Sequence, residues 1–517
     1  VELSGFVLAK RASGEYGIKI QTIGSTESGY DILDEQIAFA SDKGKETWEN
    51  LSLSMEIETR AHSLLIILLH AGTGTVWFDS LALQIEGETL NEVPVAPSFS
   101  KGQQQQIKKQ ITELQTVDPS RDVKFLHDHF LDLDFLRREI GHARLIALGE
   151  STHGTSEFFR MKHRLIQYGI HQLGVRTLIL EDNQLVVERL NQYLVNGKSD
   201  ARTAMKGLFA VWGTIEMLEL IEWMRSYNLL HPNDPVEIKG MDVQNPSLAF
   251  DSLSQFLSEV DPELSVVADS LLNDYRSNWT SGFFVGDSVL TSWLDKVARF
   301  CRIIEERQSR WRTTSNSNRR EWSIQNSRVL AQDLRSVLSG GFAGRDSAMA
   351  ENVNWILSRM PPDTKAMIWA HDSHIARGEA EDPEANYFLG TSMGALLSKR
   401  YGEDYKSFGL FTFSGKCRGT VSYANYSYVE FNLFTAPVGS LEHGLHWVSK
   451  SLDSPILHLD LEKFKKIKKK STWIWQRRPV RYVGYVAEDY GFGGRYSIPQ
   501  QFDGVFFIDQ TSAAKGM

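Results

Sequence analysis

The sequence predicts an α/β fold, with a mostly parallel sheet flanked by helices and a small N-terminal all-β, jelly-roll-like domain. Three observations carry this reading. From about residue 103 onward, short apolar runs alternate with long stretches of helical spacing, as in strands joined by crossover helices. Residues 1 to about 92 carry only short strand-like runs parted by Gly, Ser, Asp and Thr turns, the pattern of a small sandwich. The length, 517 residues, exceeds what one ordinary core accommodates.

In the first 92 residues the expected strands are Phe6–Ala9, Tyr16–Ile20, Leu51–Ile57, Leu64–Leu69 and Val76–Ile85. The run Ala71–Asp79 followed by Ser80–Leu83 is similar to the last strands of jelly-roll carbohydrate-binding modules, which makes carbohydrate a candidate partner. A turn feeding an edge strand is the plainer reading, and a docking domain that shapes the crevice is the other role. Residues 93–102, with Pro94 and Pro97, read as a linker. Gln103 opens a polar helical segment that begins the second domain, 103–517.

In that domain the expected strands are Arg144–Leu148, Arg176–Leu180, Val236–Gly240, Ala366–Ala370, Ser407–Phe413 and Val505–Ile508. From about 260 to 340 there is no strand signal, and runs such as Trp293–Phe300 and Ser323–Leu330 have helical spacing. A helical insertion between two sheet strands is expected there.

The net charge of −9 argues against nucleic acid as the main partner. The basic run Lys463–Lys470 reads as a solvated face. No run reaches the eighteen apolar residues of a membrane span, and Leu64–Leu69 is the longest. The chain starts with Val1 rather than Met, as a processed product would, so an exported protein whose signal segment has been removed is one expectation for its compartment. Two cysteines, Cys301 and Cys417, give no disulfide framework and leave the compartment undecided.

Four of the expected strands end in chemically useful residues. The first leads into Gly149-Glu150-Ser151-Thr152-His153-Gly154, the second into Glu181-Asp182, the third into Met241-Asp242 and the fourth into His371-Asp372-Ser373-His374. In a parallel sheet these carboxyl ends share one edge, where open α/β folds bind ligands. Any one of these residues alone reads as a cap, a turn or a structural histidine. Their convergence marks Glu150, His153, Glu181 and His371 as a candidate catalytic set. His374, Asp242, Lys162 and Trp212 are candidates for substrate contact, although tryptophans such as Trp212, Trp473 and Trp475 are more often core.

The segments GESTHG, EFFRMKHRLI (157–166), TLILED (177–182) and AHDSHIA (370–376) resemble the erythromycin esterase family. So do Trp212–Arg225, Gly240–Gln244, Arg345–Asn352, Ser392–Gly394 and Phe502–Asp509. The resemblance spans roughly residues 105–515 and leaves the β domain outside it. It implies hydrolysis of a small-molecule ester or lactone, with His153 as the base that activates water, Glu150 and Glu181 as its acids, and His371 and His374 as the second histidine motif. The family's basic residue in the first helix is arginine in the macrolide esterases, and Lys162 stands there instead. Lysine lacks the planar fork of arginine, so macrolide opening does not follow. No cofactor is implied.

Two alternatives stand beside this reading. Glu150, His153, Glu181, His371 and His374 are of the types that ligate zinc or manganese, which would make the hydrolase metal-dependent. The pocket could equally serve a non-catalytic protein that captures a glycan or small ester.

Overall fold

A computed structural model describes residues 1–26, 29–41, 46–59, 61–89, 98–279, 286–312, 317–339, 342–378, 391–421, 427–465, 473–486 and 494–517. The chain divides into two compact units, Val1–Val95 and Ala96–Met517.

The first unit is antiparallel throughout its described residues. Its strands are β1 (Glu2–Lys10), β2 (Glu15–Thr26), β3 (Gly29–Phe39), β4 (Glu49–Ser54), β5 (Ala61–Ala71), β6 (Thr75–Ile85) and β7 (Glu88–Thr89). They form two sheets, ordered β4-β1-β6-β7 and β3-β2-β5. Along β1, Leu3, Val7 and Ala9 are buried while Phe6 is exposed, the period-two pattern of a half-buried strand. These residues join Tyr16, Ile18 and Ile20 of the other sheet in one apolar cluster.

In the second unit, β8 (Ile111–Glu113), β9 (Leu145–Leu148), β10 (Val175–Asn183), β11 (Glu237–Asp242), β12 (Lys365–Trp369), β13 (Tyr405–Thr420), β14 (Tyr428–Leu433), β15 (Ile456–Asp460) and β18 (Gly504–Thr511) build a nine-stranded sheet. A separate hairpin-like pair is β16 (Arg478–Val480) with β17 (Gly494–Tyr496). The main order is β11-β10-β12-β9-β13-β18-β15-β8, with β14 paired to β13. The run from β11 to β18 is parallel, while β15, β8 and β14 pair antiparallel. The six strands expected from sequence are the six of the parallel run.

Both faces of the parallel run are covered, which explains its continuous apolar strands. Ile146, Leu148, Leu178, Leu180, Met367 and Trp369 point into one core. Leu145, Ala147, Ile179, Ala366 and Ile368 point into the other. The end strand β11 would leave backbone groups unpaired, a liability that proteins blunt. Here asparagine side chains take them up. Asn191 Oδ1 accepts the Ile238 N–H at 3.0 Å, Asn228 bonds both backbone groups of Val236, and Asn352 Nδ2 donates to Met241 O at 2.9 Å.

Between β11 and β12 the described residues are helical: Ser247–Val260, Pro262–Asn278, Asp287–Arg307, Ser317–Leu338 and Phe342–Leu357. They carry a core of their own that includes Phe250, Trp293, Phe300 and Leu330. The expected linker differs at its end. A helix starts at Lys101, because Ser100 and Gln103 close a capping box across its first turn. Residues 93–97, and 466–470 of the basic run, lie outside the described residues.

Candidate active site

The turn after β9 is held from several sides. Gly149 N–H donates to Phe408 O at 2.8 Å, Ser151 N–H to Leu410 O at 3.0 Å, and Val483 N–H to Ser151 O at 2.9 Å. Two glycines bracket it for steric reasons. A Cβ on Gly149 would meet Asp372 Oδ1 at 1.8 Å, and one on Gly154 would meet Arg418 O at 1.7 Å. The turn therefore packs against backbone and carboxylate where no larger residue fits.

Glu150 is fully buried and has three partners. Oε1 meets His153 Nδ1 at 2.7 Å, and Oε2 takes Lys162 Nζ at 2.7 Å and Trp369 Nε1 at 3.0 Å. Burial raises the carboxyl's pKa, but the Lys162 ammonium and His153 outweigh it and hold the group below its usual range. A carboxylate can only accept. His153 Nδ1 is therefore a protonated nitrogen, so in the neutral ring the lone pair lies on Nε2. The His153 side chain is 13% exposed, unlike the buried groups around it.

The His371 ring lies 4.9 Å from that of His153, centroid to centroid, and 4.6 Å from the ring of Tyr482. His371 caps the short helix Asp372–Ile375, and its Nδ1 accepts the Ser373 backbone N–H at 3.2 Å. That bond places the ring proton on Nε2, a buried atom with no hydrogen-bond partner. Burial, and then the neighbouring rings of His153 and His374, hold the His371 pKa well below that of free histidine. With both rings neutral they present opposite functions: a lone pair on His153 and an N–H donor on His371.

Glu181 supports this pair from beneath. Its Oε2 accepts the His371 backbone N–H at 2.8 Å, and its Oε1 binds Arg345 Nη2 at 2.7 Å. Burial opposes its charge, yet His374 and Arg345 hold its pKa well below the usual value. Arg345 also grips Asp242 through Nε and Nη2. His374 Nδ1 faces Asp346, and its Nε2 lies 3.2 Å from Glu181 Oε1 and 2.9 Å from Arg345 Nη1. Burial works against a charged His374, but Asp346 and Glu181 prevail and raise its pKa to about 10. Asp372 is buried beside Glu150, and burial raises its pKa well above the usual value.

The structure brings Glu150, His153, Glu181, His371, His374, Lys162 and Asp242 into one connected network. Four residues expected at the substrate are turned inward. Lys162 is fully buried on Glu150, with its ammonium 4.6 Å from the Trp369 ring centroid. Asp242 and His374 are buried against Arg345. Trp212 is 1% exposed, packs edge-on to Trp369 and donates to Glu181 O at 3.3 Å. Trp473 packs against Phe99 and Phe464. Arg345, Asp346 and Trp369 were not singled out for a role by sequence. Arg345 and Asp346 lie on the helix Phe342–Leu357 rather than at a strand end, and their run carried a resemblance but no chemistry.

Among the described residues, no group of three or more His, Cys, Asp or Glu side chains is arranged to hold a metal ion. Both oxygens of Glu150 and of Glu181 are already committed to protein partners.

The family profile described as Erythromycin esterase matches residues 170–511, about two thirds of the chain. The Glu150–His153 turn precedes that range. The Bacillus subtilis (strain 168) protein YbfO is 24% identical over 405 residues, covering 74% of this chain and 86% of its own. Erythromycin esterase type II of Escherichia coli is 22% identical over 315 residues, covering 56% of this chain and 73% of its own. Among solved structures, a Bacillus cereus protein superposes with a TM-score of 0.69 at 20% identity, over 81% of this chain and 100% of its own.

Proposed function

The chain belongs to the erythromycin esterase family, and we propose that it hydrolyses a carboxylic ester or lactone by direct attack of water, with His153 as general base. The observation that carries the proposal is the ordered pair of rings. His153 offers a lone pair on Nε2 because Glu150 holds its other nitrogen protonated. His371 offers an N–H because Ser373 occupies its other nitrogen.

In the proposed reaction His153 Nε2 takes a proton from water as the oxygen adds to the carbonyl carbon. The imidazolium that forms is stabilised by Glu150, itself kept ionised by Lys162. His371 Nε2–H donates to the developing oxyanion, the kind of preorganised donor that contributes most in a dry site. The tetrahedral intermediate then collapses, and the proton on His153 goes to the leaving alkoxide. Glu181 and Arg345 position His371 from below. Lys162 acts through Glu150 rather than on the substrate.

A covalent route through Ser151 has no support. Ser151 Oγ is buried without a hydrogen-bond partner, so no base activates it. Lys162 in place of the macrolide esterases' arginine favours an ester other than a macrolide. For the N-terminal unit we propose a jelly-roll-like sandwich that docks carbohydrate, supported by its period-two strands and by the exposed rings of Trp48 and Trp77.

The experiment is a screen of the purified protein against aryl esters, lactones and macrolides, with and without chelator. Turnover insensitive to chelator supports the proposal. Turnover abolished by chelator and restored by a divalent cation would replace His153 with a metal-bound water. Binding without turnover across the panel would replace catalysis with capture.

A further inference from the structure

On the far side of the sheet from the paired histidines, a groove of about 790 Å³ opens at the amino ends of β10, β11 and β12. It is large enough for a small-molecule ligand, and nothing in the proposed hydrolysis uses it. Arg176 and Thr177 of β10, Glu237 and Lys239 of β11, and Thr364 before β12 line one side. Trp322 and Trp355, from two helices of the insertion, line the other. Their rings meet edge to face at 5.1 Å, and both side chains are half-buried.

Three donors in this groove have no hydrogen-bond partner among the described residues: the indole N–H groups of Trp322 and Trp355, and the Nδ2 of Asn191. Asn191 is only 3% exposed, and its Oδ1 is fixed by the Ile238 N–H. Its amide is therefore held by its oxygen, with the donor end left over and facing the groove. The charged groups, by contrast, are already matched. Arg176 pairs with Asp234, Lys239 with Glu188 and Glu237, and Arg359 with Glu321. Three cations face four carboxylates, so an anion finds no unmatched cation, and the one surplus carboxylate already shares Lys239.

We propose that this groove is a second ligand site and that it binds a neutral saccharide. A sugar ring offers an apolar face to an indole wall and hydroxyl oxygens to isolated N–H donors, and it needs no counter-charge. Trp322 supplies the stacking face, beside a Trp355 ring one face of which the Arg359 guanidinium already covers at 4.2 Å, and Asn191 is the polar anchor that fixes orientation.

The test is calorimetric titration of the full chain with maltotriose, cellotriose and N,N′,N″-triacetylchitotriose, with trigalacturonate as the anionic control. Saturable binding of at least one neutral trisaccharide is expected, weakened about tenfold or more by Trp322→Ala, with weaker or no binding of trigalacturonate. Asn191→Asp keeps the Ile238 bond while removing the donor; the carboxylate it buries lowers the thermal midpoint, and binding, compared on the folded variant well below that midpoint, should weaken. Three results would overturn the proposal: no saturable binding of any neutral probe, equal binding of the anionic one, or binding unchanged in both variants. The last would put the saccharide elsewhere on the chain.

Discussion

Replacing Lys162 with Met should destabilise the protein by about 3–5 kcal/mol, the cost of leaving one member of a buried ion pair alone. The side chains of Lys162 and Glu150 are both fully buried, with Nζ and Oε2 2.7 Å apart. At an effective dielectric constant of about 20 their attraction is about 6 kcal/mol, and desolvation of the two charges offsets much of that. The variant is therefore expected to reveal the penalty of an unpaired Glu150 more than the worth of the pair. His153 and Trp369 remain as partners of Glu150, which places the expectation toward the lower end. The double variant E150Q/K162M carries no buried charge at this point and should regain most of the loss. Urea unfolding followed by tryptophan fluorescence measures both. A cost for K162M below about 1 kcal/mol, the range of exposed pairs, would refute the reasoning, as would a double variant no more stable than the single one.

Arg345→Met leaves Asp242 and Glu181 buried without their shared cation and should cost at least as much as K162M. Arg345→Lys should fall between, since an ammonium keeps the charge but not the fork. The same unfolding measurements decide both. His371→Ala removes the proposed oxyanion donor and should lower kcat by about two to three orders of magnitude with little change in KM. Steady-state kinetics on a substrate ester would show it, and a loss confined to KM would contradict the role. His374 links stability to alkaline pH. Its pKa is raised from 6.5 to about 10 in the folded protein, so its contribution is fully present below 6.5 and is lost as pH rises toward 10. His374→Gln should flatten that decline in pH-dependent unfolding, and an unchanged slope would remove His374 as its source.

The parallel strands were legible because both of their faces are buried, which leaves runs such as Leu145–Leu148 apolar without interruption. The antiparallel additions were not. β15 carries His458 in its middle, β8 is three residues long, and β3 interrupts its apolar positions with Asp31, Asp34 and Glu35. Strand ends likewise exposed Glu150, Glu181, Asp242 and His371, since a parallel sheet delivers them to one edge. Arg345 and Asp346 reach that edge only through the packing of the helix Phe342–Leu357, which no local pattern specifies. Trp369 reads as one more apolar residue of its strand, and its bond to Glu150 follows from the pairing of β12 with β9. Lys162 is visible as a charge on an amphipathic helix. Its complete burial depends on Glu150 waiting beneath it, so its spacing alone suggested the crevice as readily as the core.

The central claim is that His153, set by Glu150, withdraws the proton from the attacking water. The most direct measurement compares kcat of the native protein and His153→Asn on the best ester from the screen, with thermal midpoints taken on the same preparations. The account predicts a fall of about two to four orders of magnitude in kcat with the fold retained. A variant that keeps its midpoint and works within about tenfold of the native rate would contradict it, because general-base catalysis by His153 could not then supply the acceleration.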